Sequence, residues 1–201
     1  MPEHPIESVL NFWFGTRYHK TEITAEQRGR WFGKSRDIDE EITQRFHTLL
    51  SDAGAGALDH LHSLPKGHLA VILLLDQFSR HRWRDSADMY QFDPQALALA
   101  TTLINDGGHK TYAPIEQVFL YLPLEHAEDL TVQAHCVALF SELVLEVPSA
   151  SRPGYEEALR YAEKHWEIIE RFGRFPHRNE LLGRSTTPEE EEFLKTPGSR
   201  F

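Results

Sequence analysis

Apolar side chains recur at intervals of three and four residues through almost the whole chain, and no segment keeps the strict apolar–polar alternation of a half-buried strand. That periodicity predicts an all-α protein. Ile6–Phe14 reads as a first helix with an aromatic end, and Gly15 is placed to cap it in the left-handed conformation. Thr24 reads as the N-cap of a short helix carrying Trp31 and Phe32, and Asp37 as the start of a longer one whose Ile38, Ile42, Phe46 and Leu49 face inward. From Gly67 to about Arg80 the pattern changes, because Leu69–Leu75 is apolar without interruption. A helix apolar on every side belongs in the centre of the fold.

Asp93-Pro94 reads as an N-cap with proline at the first helical position, opening an Ala/Leu-rich helix that stops at Asn105-Asp-Gly-Gly108. Pro114–Leu122 is a buried helix interrupted by Pro123, and Asp129–Val147 a long one ended by Pro148. In the helix from Tyr155 to Glu170, Leu159, Ala162, Trp166, Ile169 and Phe172 keep the inward stripe. Thr187-Pro-Glu-Glu190 is a capping box. Short connections between such helices predict antiparallel neighbours, stacked as a bundle or a short tetratricopeptide-like superhelix, although no repeat of about 34 residues is present.

Length and charge narrow the function. The 201 residues suit one domain spanning the chain. With 31 acidic against 21 basic residues, the net charge of −10 argues against a nucleic-acid surface. No apolar run reaches the roughly 20 residues of a membrane span, and Met1-Pro-Glu-His-Pro5 lacks a signal-peptide pattern, so a soluble cytoplasmic protein is expected. The single Cys136 lies in an apolar helical pattern and reads as a small buried hydrophobe.

Three polar clusters stand out against this background. Leu75–Asp85 holds Asp76 and Arg80, four apart with the acid first, which is the favourable order for a helical ion pair. Phe119–Asp129 sets Glu125, His126, Glu128 and Asp129 beside Pro123, where a bend would turn Glu125 and His126 into a cavity, while Asp129 suits a helix N-terminus. Arg171-Phe-Gly-Arg-Phe-Pro-His-Arg-Asn179 puts Arg171, Arg174, His177 and Arg178 together on an acidic chain, with His165 upstream and Arg184 downstream. Such a basic cluster needs either internal carboxylates or a bound anion.

The strings LDQFSRHRWR, FLYLPLEHAEDL and HWEIIERFGRFPHRNELLGRSTTPEEEEFL, with VLNFWFG near the start and PGSRF at the end, resemble the uncharacterised bacterial family called domain of unknown function 924. The resemblance runs from about Ile6 to Phe201 and implies an all-helical, tetratricopeptide-like fold without naming a substrate. Its pattern falls on Asp76, Gln77, Phe78, Arg80, Arg84, Glu125, His126, Glu128, Asp129, His165, Arg171, Gly173, Arg174, His177, Arg178, Asn179, Gly183 and Arg184. This chain departs from it at Ser79-Arg80-His81, where the family reads Pro-Arg-Asn, and at Asp85, where glycine is expected.

The clusters together suggest one polar pocket for a small anionic molecule carrying phosphate or carboxylate. Glu125, His126, His165 and His177 are the candidates for acid–base chemistry. Asp76, Arg80, Asp129, Arg171, Arg174, Arg178, Asn179 and Arg184 are the candidates for binding. A second reading is an interaction module gripping a peptide carboxylate in an open groove. A third is a metal site through His126, Asp129 and His165 or His177, which no local spacing supports. No nucleophile motif or phosphate loop is present, and no cofactor is implied.

Overall fold

The computed structural model describes residues 4–16 and 21–200, and among these the chain forms helices and turns with no strand. Met1, Pro2, Glu3 and Phe201, which bear on the leader reading and the end of the family pattern, lie outside the described residues.

Local chemistry sets most helix starts. Helix α1 (Pro5–Phe14) ends at Gly15, whose φ of 92° is positive as expected, but whose ψ of 158° is extended rather than left-handed helical. Helix α2 (Ala25–Phe32) starts on the reciprocal capping box of Thr24 and Gln27. Helix α3 (Arg36–Gly54) is capped by Ser35, so Asp37, expected at its start, sits in the first turn, where its charge meets the positive end of the helix dipole.

The apolar run is central, as its composition requires. Helix α4 (Gly67–Ile72), a π-helical stretch (Leu73–Phe78) and helix α5 (Ser79–Arg82) follow one another without a break. No residue from Leu69 to Leu75 is more than 3% exposed. A Cβ on Gly67 would come within 1.8 Å of the Leu61 carbonyl oxygen, so glycine alone lets the rod begin there. Trp13 packs on Phe78 and Phe119 at 5.4 and 5.6 Å, and Trp31 on Phe119 at 4.8 Å, which makes these two tryptophans core residues.

The remaining helices pack largely in chain order. Helix α6 (Asp93–Asn105) lies against α7 (Pro114–Glu125), α7 against α8 (Leu130–Glu146), and α8 along α9 (Arg152–Phe172). Helix α10 (Pro188–Leu194) closes the chain on a Thr187–Glu190 capping box.

Two expectations about these helices are corrected. Pro123 does not interrupt α7: the helix continues to Glu125, and His126 still donates to the Leu122 carbonyl at 2.9 Å. Proline removes one backbone donor, and the burial of every side chain from Ile115 to Glu125 offsets that loss. Helix α9 begins at Arg152 rather than Tyr155, because Pro153 suits the first turn. Its buried line runs through Tyr155, Ala162, His165, Ile168 and Ile169, while Trp166 is only half buried. The stripe is rotated toward His165, which brings that histidine inside. At the end of α9, Ile168, Ile169 and Phe172 form a small apolar cluster with Phe175 and Phe193, and this cluster carries residues 173–184 back onto the body.

Candidate functional site

The π-helical stretch positions the first group. Its wider turn rotates the residues that follow relative to a plain α-helix, and such stretches often sit at functional positions. Asp76 lies within it, fully buried, and accepts from Nε2 of Gln77 at 2.6 Å. Nδ1 of His126, at the C-terminal end of α7, approaches Asp76 Oδ1 to 2.7 Å. Burial alone would raise the Asp76 carboxyl, but His126 and Arg80 outweigh it and hold the group well below the usual carboxylate range. Burial and the Arg80 charge pull His126 down, against the opposing pull of Asp76. With Asp76 ionised by the permanent charge of Arg80, the neutral imidazole of His126 donates from Nδ1. Nε2 is then the basic nitrogen.

Arg80 is only a marginal partner of the Asp76 carboxylate, at 3.5 Å, and bonds the Asp76 carbonyl at 2.6 Å instead. Its fork is filled by Asp93, whose Oδ1 and Oδ2 lie 3.0 and 3.1 Å from Nη1 and Nη2. Asp93 was expected to cap α6. Phe92 occupies the cap position without a side-chain bond, and the Asp93 carboxylate faces the arginines. Neither Asp93 nor Tyr90 stood out in the sequence, since an Asp-Pro pair reads as a cap and a lone tyrosine reads as packing.

Arg178 completes this group from the 3-10 turn Pro176–Arg178. Gly173, left-handed at φ 67°, ends α9 and turns the chain toward it. The residue is only 7% exposed, and its guanidinium lies over the rings of Tyr90 and Phe175 at 4.6 and 4.5 Å. Nη2 donates to the His126 carbonyl at 3.1 Å, Nη1 reaches Asp93 Oδ2 only at 3.5 Å, and Nε has no hydrogen-bond partner among the described residues. Burial, and then the neighbouring charge of Arg80, lower the Arg178 guanidinium from its ordinary value. Two guanidinium groups therefore share one carboxylate, and the second is short of partners.

The other acid–base candidates border this group. Glu125 is buried, and burial followed by the Asp76 charge pushes its carboxyl up to about 8, so it is protonated at neutral pH. Its Oε1 lies 3.2 Å from Nδ1 of His165, which also donates to the Tyr161 carbonyl at 2.8 Å. Burial holds His165 far below its ordinary range, and burial with the Arg178 charge brings His177 down to about 4. The His126 and His165 rings are 6.4 Å apart, and His177 stacks obliquely on Phe175 at 5.7 Å. Cys136 is fully buried with its thiol raised by burial, as an inert core residue would be.

The rest of the candidate residues bond elsewhere. Asp129 caps α8, its Oδ1 accepting from Val132 N at 2.9 Å. Arg171 and Arg174 bond Glu189 and Glu190, the second pair through Nε and Nη2 of one guanidinium edge at 2.7 and 2.9 Å, and so tie α10 to the end of α9. Hydrogen bonding from Arg174 takes Glu190 down to about 2. Asn179 reaches the same Glu190 at 3.3 Å. Arg184 forks onto Glu128 at 2.6 and 3.0 Å, and Glu128 also accepts the Phe175 N–H.

Among the described residues, no group of three or more His, Cys, Asp or Glu side chains converges as metal ligands would. An open cavity of about 570 Å³ elsewhere is lined in part by Asp39, His81 and Arg84, of which only Arg84 lies on the family pattern. There Asp39 takes His81 and both nitrogens of the Arg84 fork at 2.7 Å, which satisfies that triad internally. Asp85 at its wall is left-handed at φ 62°, which accounts for the glycine expected at this position. We place the candidate site at Arg178 instead, because burial and incomplete pairing coincide there.

Comparisons with known proteins agree with the fold and leave the chemistry open. A solved structure of a protein of unknown function from Agrobacterium tumefaciens shares 34% identity, covering 94% of this chain and 96% of its own, with a TM-score of 0.78. No curated protein matches the chain. The family described as bacterial protein of unknown function (DUF924) matches residues 9–198. The chain, matched over nearly its full length, belongs to that family.

Proposed function

We propose that the group around Arg80 and Arg178 binds a small carboxylate- or phosphate-bearing molecule, with His126 available for proton transfer to or from it. The observation that carries this reading is the buried, under-paired guanidinium of Arg178. A buried polar atom without a partner costs about 1–3 kcal/mol, and an anion that accepts from Nε would recover it. The rings of Tyr90 and Phe175 fix the guanidinium plane in advance, so little freedom is lost on binding.

The acid–base part rests on the Asp76–His126 contact. A carboxylate on Nδ1 fixes the tautomer and leaves Nε2 to accept a proton, and a depressed histidine pKa keeps that nitrogen neutral at pH 7. Glu125, protonated in the same conditions, is the matching acid. The binding test is titration calorimetry with acetate, succinate and inorganic phosphate on the wild-type protein and on Arg80→Gln. Saturable heat in the first and at least tenfold weaker binding in the second are expected. Equal binding by both proteins, or none by either, would remove the reading.

A second reading, the interaction module, is favoured by one observation. Trp166 is half buried and lines a surface groove of about 470 Å³ between α8 and α9 with Ala134, Val137, Glu163 and Glu167. Its two carboxylates suit a basic or apolar peptide, not the peptide carboxylate expected from the arginines. Those arginines are buried or engaged with internal carboxylates, and we rank this reading second.

A further inference from the structure

We propose that Asp93 is a built-in stand-in for the ligand, and that a carboxylate-bearing small molecule binds by exchanging with it in the fork formed by Arg80 and Arg178. The inference rests on the binding reading above and narrows its ligand class to carboxylates.

Three observations carry it. Asp93 presents a planar carboxylate to Arg80 with both oxygens matched to both terminal nitrogens, at 3.0 and 3.1 Å, the geometry a ligand carboxylate would adopt. Among the described residues the same Oδ2 is the only carboxylate oxygen within reach of Arg178, at 3.5 Å, so the two guanidinium groups already converge on one occupant. Asp93 also makes no capping bond to its own helix, although Asp-Pro at a helix start favours one. Its carboxylate can leave the arginines without uncapping α6. When it turns away, its oxygens become available to solvent, and the ligand takes both arginines.

An internal competitor lowers apparent affinity by the fraction of time the site is open, so removing its charge should raise affinity. Titration calorimetry with acetate compares the wild-type protein with Asp93→Asn, which keeps the side-chain shape and one acceptor oxygen. Acetate is chosen because it reproduces the Asp93 side chain beyond Cα. We expect the variant to bind acetate roughly tenfold or more tightly. Phosphate, tetrahedral rather than planar, should gain less. Unchanged or weaker acetate binding by the variant, with wild-type binding intact, would overturn the exchange while leaving the anion site standing. Absence of binding by both proteins would overturn the anion site itself.

Should Asp93→Asn fail to fold, Asp93→Ala is unfolded thermally in acetate and in chloride at equal ionic strength. Selective recovery of its melting temperature by acetate supports the exchange, and equal curves in the two salts contradict it.

Discussion

Five arginines gather near the end of α9 and the π-helical stretch, and they divide by how they are paired. Arg171, Arg174 and Arg184 each meet a carboxylate of their own, Glu189, Glu190 and Glu128, on a surface that water still reaches. Arg80 and Arg178 are largely buried, face the ring of Tyr90 together and converge on Asp93. The first set fastens the C-terminal segment, each cation meeting a carboxylate of its own. The second set is held in place by packing on rings as well as by charge, and has a donor to spare. Density of arginine in a sequence thus says little about binding; pairing and burial separate scaffold from site.

The largest effect should come from Arg178. In Arg178→Gln the stacked cation is lost, acetate affinity measured by calorimetry should fall by a hundredfold or so, and stability in urea should drop by about 3 kcal/mol. If affinity survives, the two sets of arginines do not differ in the way described.

Asp76→Asn comes next. It removes the buried charge that faces Arg80 and His126, with an expected loss of about 2–3 kcal/mol in urea unfolding. The His126 pKa, followed by NMR, should fall further, because the pull that opposed burial is gone. A rise in that pKa would contradict the pairing.

Glu125→Gln sharpens the comparison through pH. Glu125 is protonated in the folded protein up to about pH 8 but ionises near 4.5 when unfolded, so the folded state binds more protons between those values. Through this group wild-type stability falls as pH rises across that window, by up to about 1.4 kcal/mol per unit. The variant lacks the decline, and its stability relative to wild type should increase with pH. The opposite slope from His177, between about 4 and 6.5, is common to both proteins and cancels. A flat difference from pH 5 to 8 would mean that Glu125 is ionised in the fold.

The smallest effect belongs to the fastening set. Arg184→Ala breaks a half-exposed fork and should cost about 1 kcal/mol. Hydrogen exchange should quicken at Phe175, whose N–H shares Glu128, while acetate affinity stays at the wild-type value. Lost affinity in this variant would move Arg184 into the site.

Much of the architecture was legible because it depends on local chemistry. The apolar period gave the helices, Thr24 the N-cap of α2, Thr187 its capping box, Asp129 the start of α8, and the uninterrupted run Leu69–Leu75 its central position. Pro123 misled because its cost is local while the burial that offsets it is tertiary. The π-helical stretch at Leu73–Phe78 left no trace in composition, and so the turn of Asp76 toward His126 could not be read. Asp93 was hidden by a plausible cap, and Tyr90 because a lone tyrosine reads as packing. The fork at Asp93 joins residues 80, 93 and 178, and only folding brings those together.

The measurement that bears most directly on the binding account is an NMR titration of the arginine Nε–H resonances with acetate at constant ionic strength, the Arg178 signal being assigned by its loss in Arg178→Lys. The account predicts that the Arg178 Nε–H, which has no partner among the described residues, shifts saturably while those of Arg171 and Arg174 stay still. An Arg178 resonance that does not move, or that drifts linearly with all the others, would contradict it and make the buried arginines part of the scaffold.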